Sequence, residues 1–147
     1  MSVRVLLGDD QAPFRRAARA VLKAAVEFDL VGEAVSGEEA VALVESLRPD
    51  LVLMDITMVG IGGIEATRLI TTAHPSTMAI LLSTYREEDL PVEARRCGAA
   101  AYLHKSDFGC DALSALWRER APTGAPRGRR SRPSPACAQP SPRSDRA

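Results

Sequence analysis

Five short strand-like runs alternate along this chain with segments that carry apolar residues at helical spacing. The runs cover residues 4–7, 28–35, 50–55, 78–82 and 99–103. Residues 50–55 are almost continuously apolar, which is typical of a strand buried on both faces of a parallel sheet. Regular alternation of strand and helix therefore predicts an α/β fold, with a doubly wound, five-stranded parallel sheet and helices on both of its faces.

The predicted helices carry recognisable boundary signals. They cover approximately residues 13–25, 37–47, 64–73, 87–97 and 107–118. Ser36 and Glu39 form a capping box at the second helix, and Gly98 suits the end of the fourth. Pro91 delays the fourth helix to about residue 90. Ser106 is a candidate cap for the fifth helix, whose start is weakened by Gly109.

The net charge of zero hides two segments of opposite charge. Residues 1–118 hold 12 basic and 17 acidic side chains, whereas residues 119–147 hold seven arginines and two acids. The second segment also has six of the ten prolines and no Val, Ile, Leu, Met or aromatic residue. Such a composition cannot bury enough apolar surface to offset the entropy of ordering. We therefore predict one compact domain over residues 1–118 and a disordered Arg/Pro/Ser-rich tail over residues 119–147.

Composition also argues against several classes of protein. No stretch approaches the roughly 18 consecutive apolar residues of a membrane helix, so no membrane association is expected. Three scattered cysteines without a paired motif, and an N-terminus without a secretory pattern, favour a cytoplasmic location. Aromatic residues make up only 4% of the chain, which disfavours nucleic-acid modules that stack bases.

Polar residues follow four of the five predicted strands. They are Asp9 and Asp10 after the first strand, Asp55 at the end of the third, Ser83 and Thr84 after the fourth, and His104 and Lys105 after the fifth. Right-handed crossovers place these strand ends along one edge of the sheet. Three carboxylates repel one another unless a cation joins them, and an oxygen-only set favours Mg²⁺. Mg²⁺, an ammonium and a hydroxyl donor together suit a transferring phosphoryl group. Each residue alone would also fit a helix cap or a solvated surface position. The prediction of a phosphoryl-transfer site therefore depends on their joint placement.

The chain resembles the receiver domains of two-component response regulators over roughly residues 3–118. The matching stretches are residues 5–10, 50–56, 63–67, 82–85 and 98–105. The residues around positions 10–11, 83–85 and 102–105 are most similar to the NarL/FixJ-type transcriptional regulators. The resemblance implies a phosphoacceptor switch in a phosphorelay rather than a metabolic enzyme, since such a domain catalyses only its own phosphoryl transfer and dephosphorylation.

Roles follow from this resemblance for the residues that match. Asp55 corresponds to the phosphoryl acceptor, which takes its phosphoryl group from a histidine kinase with the help of Mg²⁺. Asp9 and Asp10 correspond to the acidic pair that holds the metal together with Asp55. Thr57 corresponds to the residue whose backbone carbonyl completes the metal site.

The resemblance also implies a switch and an output surface. Ser83 corresponds to the hydroxyl that binds the phosphoryl group, Lys105 to its charged partner, and Tyr102 to the aromatic residue whose rotamer follows the switch. The output face of the family is built from the fourth helix, fifth strand and fifth helix, which here would present Arg95, Tyr102, Leu116 and Trp117. A protein partner or a second copy of the chain is expected there.

The sequence departs from the family pattern in the loop after Asp55 and at the C-terminus. Val59 replaces a proline and Gly62 replaces an acid, so we expect a freer loop. No helix-turn-helix pattern follows residue 118, and no specific DNA binding is expected. Two explanations for the missing output domain remain open. The chain is either a natural stand-alone receiver or the product of a truncated or frameshifted gene, whose tail would be a chance reading frame.

Two other functions remain open from the sequence. A small α/β phosphohydrolase could use Asp55 as its nucleophile, although such enzymes favour a second acid two residues later, where this chain has Thr57. An interaction domain with an inactive site is the other alternative. The complete set of Asp9, Asp10, Asp55, Ser83 and Lys105 argues against it.

Overall fold

The computed structural model describes residues 2–120, which form one five-stranded, all-parallel sheet in the order β2-β1-β3-β4-β5. The strands are β1 (Val3–Gly8), β2 (Phe28–Ala34), β3 (Leu51–Asp55), β4 (Met78–Ser83) and β5 (Ala101–His104). The helices are α1 (Ala12–Ala24), α2 (Gly37–Leu47), α3 (Gly62–Ala73), α4 (Val92–Arg96) and α5 (Cys110–Arg120). The predicted fold class is confirmed.

Two apolar layers sandwich the sheet. One layer holds Leu22 of α1 together with Leu113 and Trp117 of α5. The other layer holds residues of α2, α3 and α4, including Val44 and Ile70. Side chains of the central strands alternate between the two layers because successive residues of a strand point to opposite faces. Burial on both faces explains why residues 51–54 are all apolar.

Chain order changes direction at the centre of this sheet. From β1 the chain moves outward to β2, and β3 then returns to the other side of β1. Gly8 of β1 lies in register with Met54 of β3. The carboxyl ends of these two adjacent strands therefore border the crevice where open α/β sheets bind their ligands.

Half of the capping box predicted at α2 is present, with Ser36 as the N-cap residue. The Ser36 side chain accepts a hydrogen bond from the Glu39 backbone amide at 3.1 Å. In return, the Glu39 side chain accepts from the Val35 backbone amide at 2.8 Å. The first bond satisfies an amide that the first turn of the helix leaves unpaired, and the second holds Val35, the residue before the N-cap.

Some element boundaries differ from the predicted ones. α3 begins at Gly62 rather than residue 64, and β5 covers Ala101–His104 rather than residues 99–103. The fourth helix is only five residues long, since Pro91 caps it and a separate 3₁₀ turn forms before it. Ser106 lies in another 3₁₀ turn and does not cap α5, which starts at Cys110. Gly98 follows α4 with a φ of +92°, as its predicted position at the helix end requires.

No helix among residues 2–120 is long and apolar enough to cross a membrane. The predicted disordered tail over residues 119–147 falls, from residue 121 onward, outside the described residues. Its first two residues, Glu119 and Arg120, belong to α5.

We predict that Ser36→Ala lowers the free energy of unfolding by about 1 kcal/mol, because it removes one side of the capping box. Urea unfolding followed by far-UV circular dichroism measures this loss. Ser76→Ala, at an exposed position outside the helices and strands, serves as the matched control. Equal stability losses in the two variants would contradict a specific contribution from the cap.

Candidate functional site

Three carboxylates meet at the carboxyl ends of the adjacent strands β1 and β3. Asp9 and Asp10 directly follow β1, and Asp55 is the last residue of β3. One oxygen from each of the three side chains lies within 4.8 Å of the others. Asp9 is fully buried and Asp55 is 2% exposed, whereas Asp10 is partly exposed at the rim. The sequence prediction that these three residues come together is thus met by the geometry.

The backbone around Asp9 is held from several sides. The Asp9 amide donates to the Ala34 carbonyl at 3.0 Å, and Asp9 Oδ1 accepts from the Gln11 amide at 2.7 Å. The Arg15 guanidinium donates to the Asp9 carbonyl at 2.8 Å and also pairs with Glu33 of β2. These contacts fix the turn from β1 into α1, and with it the position of the buried carboxylate.

Lys105 supplies a positive charge opposite this cluster. Its Nζ lies 2.7 Å from Asp9 Oδ2 and 3.4 Å from Asp55 Oδ2. Burial raises the pKa of Asp55, the neighbouring Asp9 raises it further, and the ammonium of Lys105 acts in the opposite direction. The ammonium therefore offsets part of the repulsion between two carboxylates that are almost completely removed from water.

The loop after β3 is tied at several points. The Thr57 amide donates to Asp55 Oδ1 at 3.3 Å, and the exposed Thr57 hydroxyl lies 3.3 Å from the same oxygen. Farther along, the Gly37 amide donates to the Val59 carbonyl at 3.1 Å, and Glu38 accepts from the Ile61 amide at 3.3 Å. The loop expected to be free is thus bonded to the start of α2.

The structure explains why glycine occupies two successive positions at the end of this loop. Gly62 has a φ of +88°, a conformation that side chains with a Cβ rarely adopt. A Cβ on Gly63 would lie 1.9 Å from the Asp55 carbonyl oxygen. The start of α3 can approach Asp55 this closely only because residue 63 is glycine. The replacement of the family's acid by Gly62 therefore fits the local backbone.

Ser83 and Tyr102 lie on the β4 and β5 side of the cluster. Ser83 is buried at the end of β4, and its hydroxyl oxygen accepts from the Tyr85 amide at 2.7 Å. The half-buried Tyr102 donates its hydroxyl to the Ala94 carbonyl of α4 at 2.9 Å. Burial is the main reason why the pKa of Tyr102 is raised. Both residues thus contact the segment between β4 and β5.

The expected output face needs one correction. Trp117 is 1% exposed and packs in the layer between the sheet, α1 and α5. It therefore cannot belong to an accessible face, and its role is in the core. Arg95 is exposed, and Tyr102 and Leu116 are partly exposed. The spacing of apolar residues in α5 could not show which of them faced the sheet.

Two further residues lie beside the site. Phe14 is absent from the predicted set and contacts one of its members, whereas His104 is predicted to lie at this edge and contacts the loops next to the site. The ring of Phe14 lies under the Lys105 ammonium, with Nζ 4.5 Å from the ring centroid. The His104 ring bridges two loops, since Nε2 lies 3.0 Å from the Thr84 carbonyl and Nδ1 accepts from the Ser106 amide. The position of His104 at the end of the fifth predicted strand indicates its place at this edge. Phe14 is identified from the sequence only as part of the apolar face of α1, which gives no sign of a contact with Lys105.

Magnesium suits this set of donors. The three carboxylates are hard oxygen ligands, and no histidine or cysteine belongs to the cluster. The partly exposed Asp10 leaves one side of the cluster accessible, and a divalent cation there would relieve repulsion that a single ammonium offsets only in part. The residues present therefore fit the predicted ion.

Comparison with known proteins identifies the family to which this chain belongs. Residues 5–116 match the family of response regulator receiver domains. The chain is 39% identical to the response regulator UvrY of Escherichia coli K12 over 114 residues, which are 78% of this chain and 52% of UvrY. It is 38% identical to the response regulator GacA of Pseudomonas viridiflava, again over 114 residues, 78% of this chain and 53% of that protein.

Solved structures of the same kind share the fold. The signal receiver domain of the response regulator NarL from Mycobacterium tuberculosis superposes with a TM-score of 0.70 at 28% identity, covering 78% of this chain and 96% of that domain. The chain spans about half the length of the curated relatives it matches. The matched family is a signalling family, which leaves the phosphohydrolase alternative without support. The chain therefore belongs to the response regulator receiver domains, the signal-receiving modules of two-component systems.

Proposed function

We propose that this domain accepts a phosphoryl group on Asp55 and acts as a signalling switch. The observation that carries the proposal is the buried Asp55 carboxylate, held beside Asp9, Asp10 and the Lys105 ammonium. Such a group is both a nucleophile and part of a cation site, which is the combination that acyl phosphate formation needs. The functional domain of this proposal covers residues 1–118.

Asp9, Asp10 and Asp55 would hold Mg²⁺ through their carboxylates, together with the backbone carbonyl of Thr57. When bound, the ion would supply positive charge that offsets the negative charge of the phosphoryl oxygens. Asp10 is the member that reaches the rim, so it is the ligand most accessible to an incoming ion.

The donor in this proposal is the phosphohistidine of a sensor histidine kinase. One Asp55 carboxylate oxygen attacks the phosphorus, the bond from phosphorus to the imidazole nitrogen breaks, and solvent supplies a proton to the departing imidazole. The product is a mixed anhydride between Asp55 and phosphate. Lys105 pairs with the oxygens of the transferred group, and the Ser83 hydroxyl donates to one of them.

Phosphorylation would reach the surface through Ser83 and Tyr102. Movement of Ser83 toward the phosphoryl group changes the space available to Tyr102, whose hydroxyl contacts α4. The surface formed by α4, β5 and α5 then differs between two states, and a partner that binds them unequally reads the difference. That partner is another protein or a second copy of the chain.

We further propose that the domain works in the cytoplasm.

We predict that acetyl phosphate with Mg²⁺ adds one phosphoryl group to the protein, and that Asp55→Asn abolishes the addition because the nucleophile is lost. Intact-mass spectrometry measures the product. Asp10→Ala removes most of the dependence on Mg²⁺. Asp107→Asn, an exposed aspartate after β5, serves as the control and retains full labelling. Equal labelling of Asp55→Asn and the unmodified protein would overturn the assignment.

We predict that Mg²⁺ raises the melting temperature. An ion that binds only the folded state adds RT ln(1 + [L]/Kd) to the free energy of unfolding, about 2.7 kcal/mol at a hundredfold excess over Kd. Asp10→Asn loses most of this response, whereas Asp29→Asn, an exposed residue of β2, keeps it. Thermal unfolding with and without MgCl₂ gives the comparison. A melting temperature that does not move in the unmodified protein would count against the metal site.

We predict no sequence-specific DNA binding and at most weak, salt-sensitive binding through the arginine-rich residues 121–147. Arginine contacts to phosphate release counterions, so affinity of this kind falls steeply as salt rises. Fluorescence anisotropy with duplex DNA at two salt concentrations compares the full chain with a variant that ends at Arg120. Tight binding that survives about 200 mM salt and distinguishes between sequences would contradict the prediction.

A further inference from the structure

The Lys105 ammonium has an aromatic neighbour in addition to its two carboxylate partners. Nζ lies 4.5 Å from the centroid of the Phe14 ring, in the first turn of α1. The same nitrogen is 2.7 Å from Asp9 and 3.4 Å from Asp55, and the Lys105 side chain is only 13% exposed. Carboxylates and an aromatic ring therefore hold the ammonium between them.

The position of the Phe14 ring is itself restricted. It contacts the Phe108 ring at a centroid distance of 5.7 Å and an interplanar angle of 59°. Both rings pack against the apolar layer between the sheet, α1 and α5. Upstream, the Asp9 to Gln11 turn sets where α1 begins. The ring is thus held by the same turn that holds one of the carboxylates.

A lysine side chain has four rotatable bonds and gains entropy when its ammonium moves into water. Ion pairing alone provides weak directional control, since an ammonium can pair with a carboxylate from many angles. The electron-rich face of an aromatic ring attracts a cation that lies above it within about 6 Å, and more strongly where water is excluded. The ring therefore favours the rotamers in which Nζ stays beside Asp55.

We infer that Phe14 is a positioning residue for phosphorylation, which acts by keeping the Lys105 ammonium at the acceptor carboxylate. The inference rests on the proposed function of Asp55. Phe14 touches none of the reacting atoms, and its effect passes through Lys105. Without the ring, the ammonium spends less time where it can pair with the incoming phosphoryl oxygens.

Nuclear magnetic resonance tests the contact without magnesium or phosphoryl donor. Lysine labelled with ¹³C at Cε gives two signals, because the chain contains only Lys23 and Lys105, and Lys23→Arg assigns them. Protons above an aromatic face shift upfield, so the Lys105 Hε signal is expected upfield of the exposed Lys23 reference. Phe14→Leu moves the Lys105 signal toward the Lys23 position, whereas Phe14→Tyr retains the shift. A Lys105 signal at the Lys23 position in the unmodified protein would overturn the inference.

The initial rate of Asp55 labelling by acetyl phosphate at saturating Mg²⁺ tests the consequence. We expect Phe14→Leu to slow labelling roughly threefold to tenfold, and Phe14→Tyr to stay within about twofold of the unmodified protein. Phe28→Leu is the matched control, since Phe28 lies in the same apolar layer but at the opposite end of the sheet, where it is in register with Val3 at the start of β1. It is expected to label normally.

The outcomes separate the inference from the proposed function. Equal slowing in Phe14→Leu and Phe28→Leu, or no slowing in Phe14→Leu, would overturn the inference, because a positioning role requires a specific loss. If Asp55 of the unmodified protein is not labelled, the proposed function fails, and the Lys105 signal still decides whether the ring holds the ammonium. Phe14→Met replaces Phe14→Leu if the latter does not fold.

Discussion

The cost of burying carboxylates at one edge of the sheet is the constraint on which this structure depends. Asp9 and Asp55 are almost completely removed from water, and an isolated buried carboxylate is strongly unfavourable. One ammonium, from Lys105, contacts both. Three negative charges against one positive charge leave an imbalance that a divalent cation would correct, so the repulsion that disfavours the folded state would favour binding of such an ion.

The architecture concentrates this imbalance at one place. In a sheet of order β2-β1-β3-β4-β5, the adjacent strands β1 and β3 end side by side, and the chain leaves them toward opposite faces of the sheet. In the proposed function, the ion and the phosphoryl group occupy the crevice between these departures, at the edge of the sheet and outside the core. Apolar burial in strands such as residues 51–54 offsets the unfavourable burial of the carboxylates at this edge.

Much of this arrangement could be predicted from the sequence because its signals are local or periodic. Continuous apolar runs identify buried strands, and parallel pairing then brings their carboxyl ends together, so Asp9, Asp10, Asp55 and Lys105 are assigned to one edge without coordinates. The capping box at Ser36 is equally local. The resemblance to receiver domains adds roles that spacing alone does not provide.

Other features depend on tertiary contacts that no local pattern contains. The burial of Trp117 depends on which face of α5 meets the sheet. The contact between Phe14 and Lys105 joins residues that are far apart in the amino-acid sequence. The length of α4 depends on competition between a 3₁₀ turn, a proline and a glycine within a dozen residues. The close approach of Gly63 to Asp55 follows from how α3 lies against β3.

The short α4 has a consequence for where the domain opens first. A helix of five residues closes little more than one turn, so its own hydrogen bonds contribute little, and its persistence depends on outside contacts such as the Tyr102 hydroxyl at Ala94. Segments of this kind occupy the low end of the range of local unfolding free energies within a domain. We therefore expect amide protons between β4 and β5 to exchange with solvent through openings that leave the central strands intact, so that rearrangement of this segment requires only a small part of the total folding free energy.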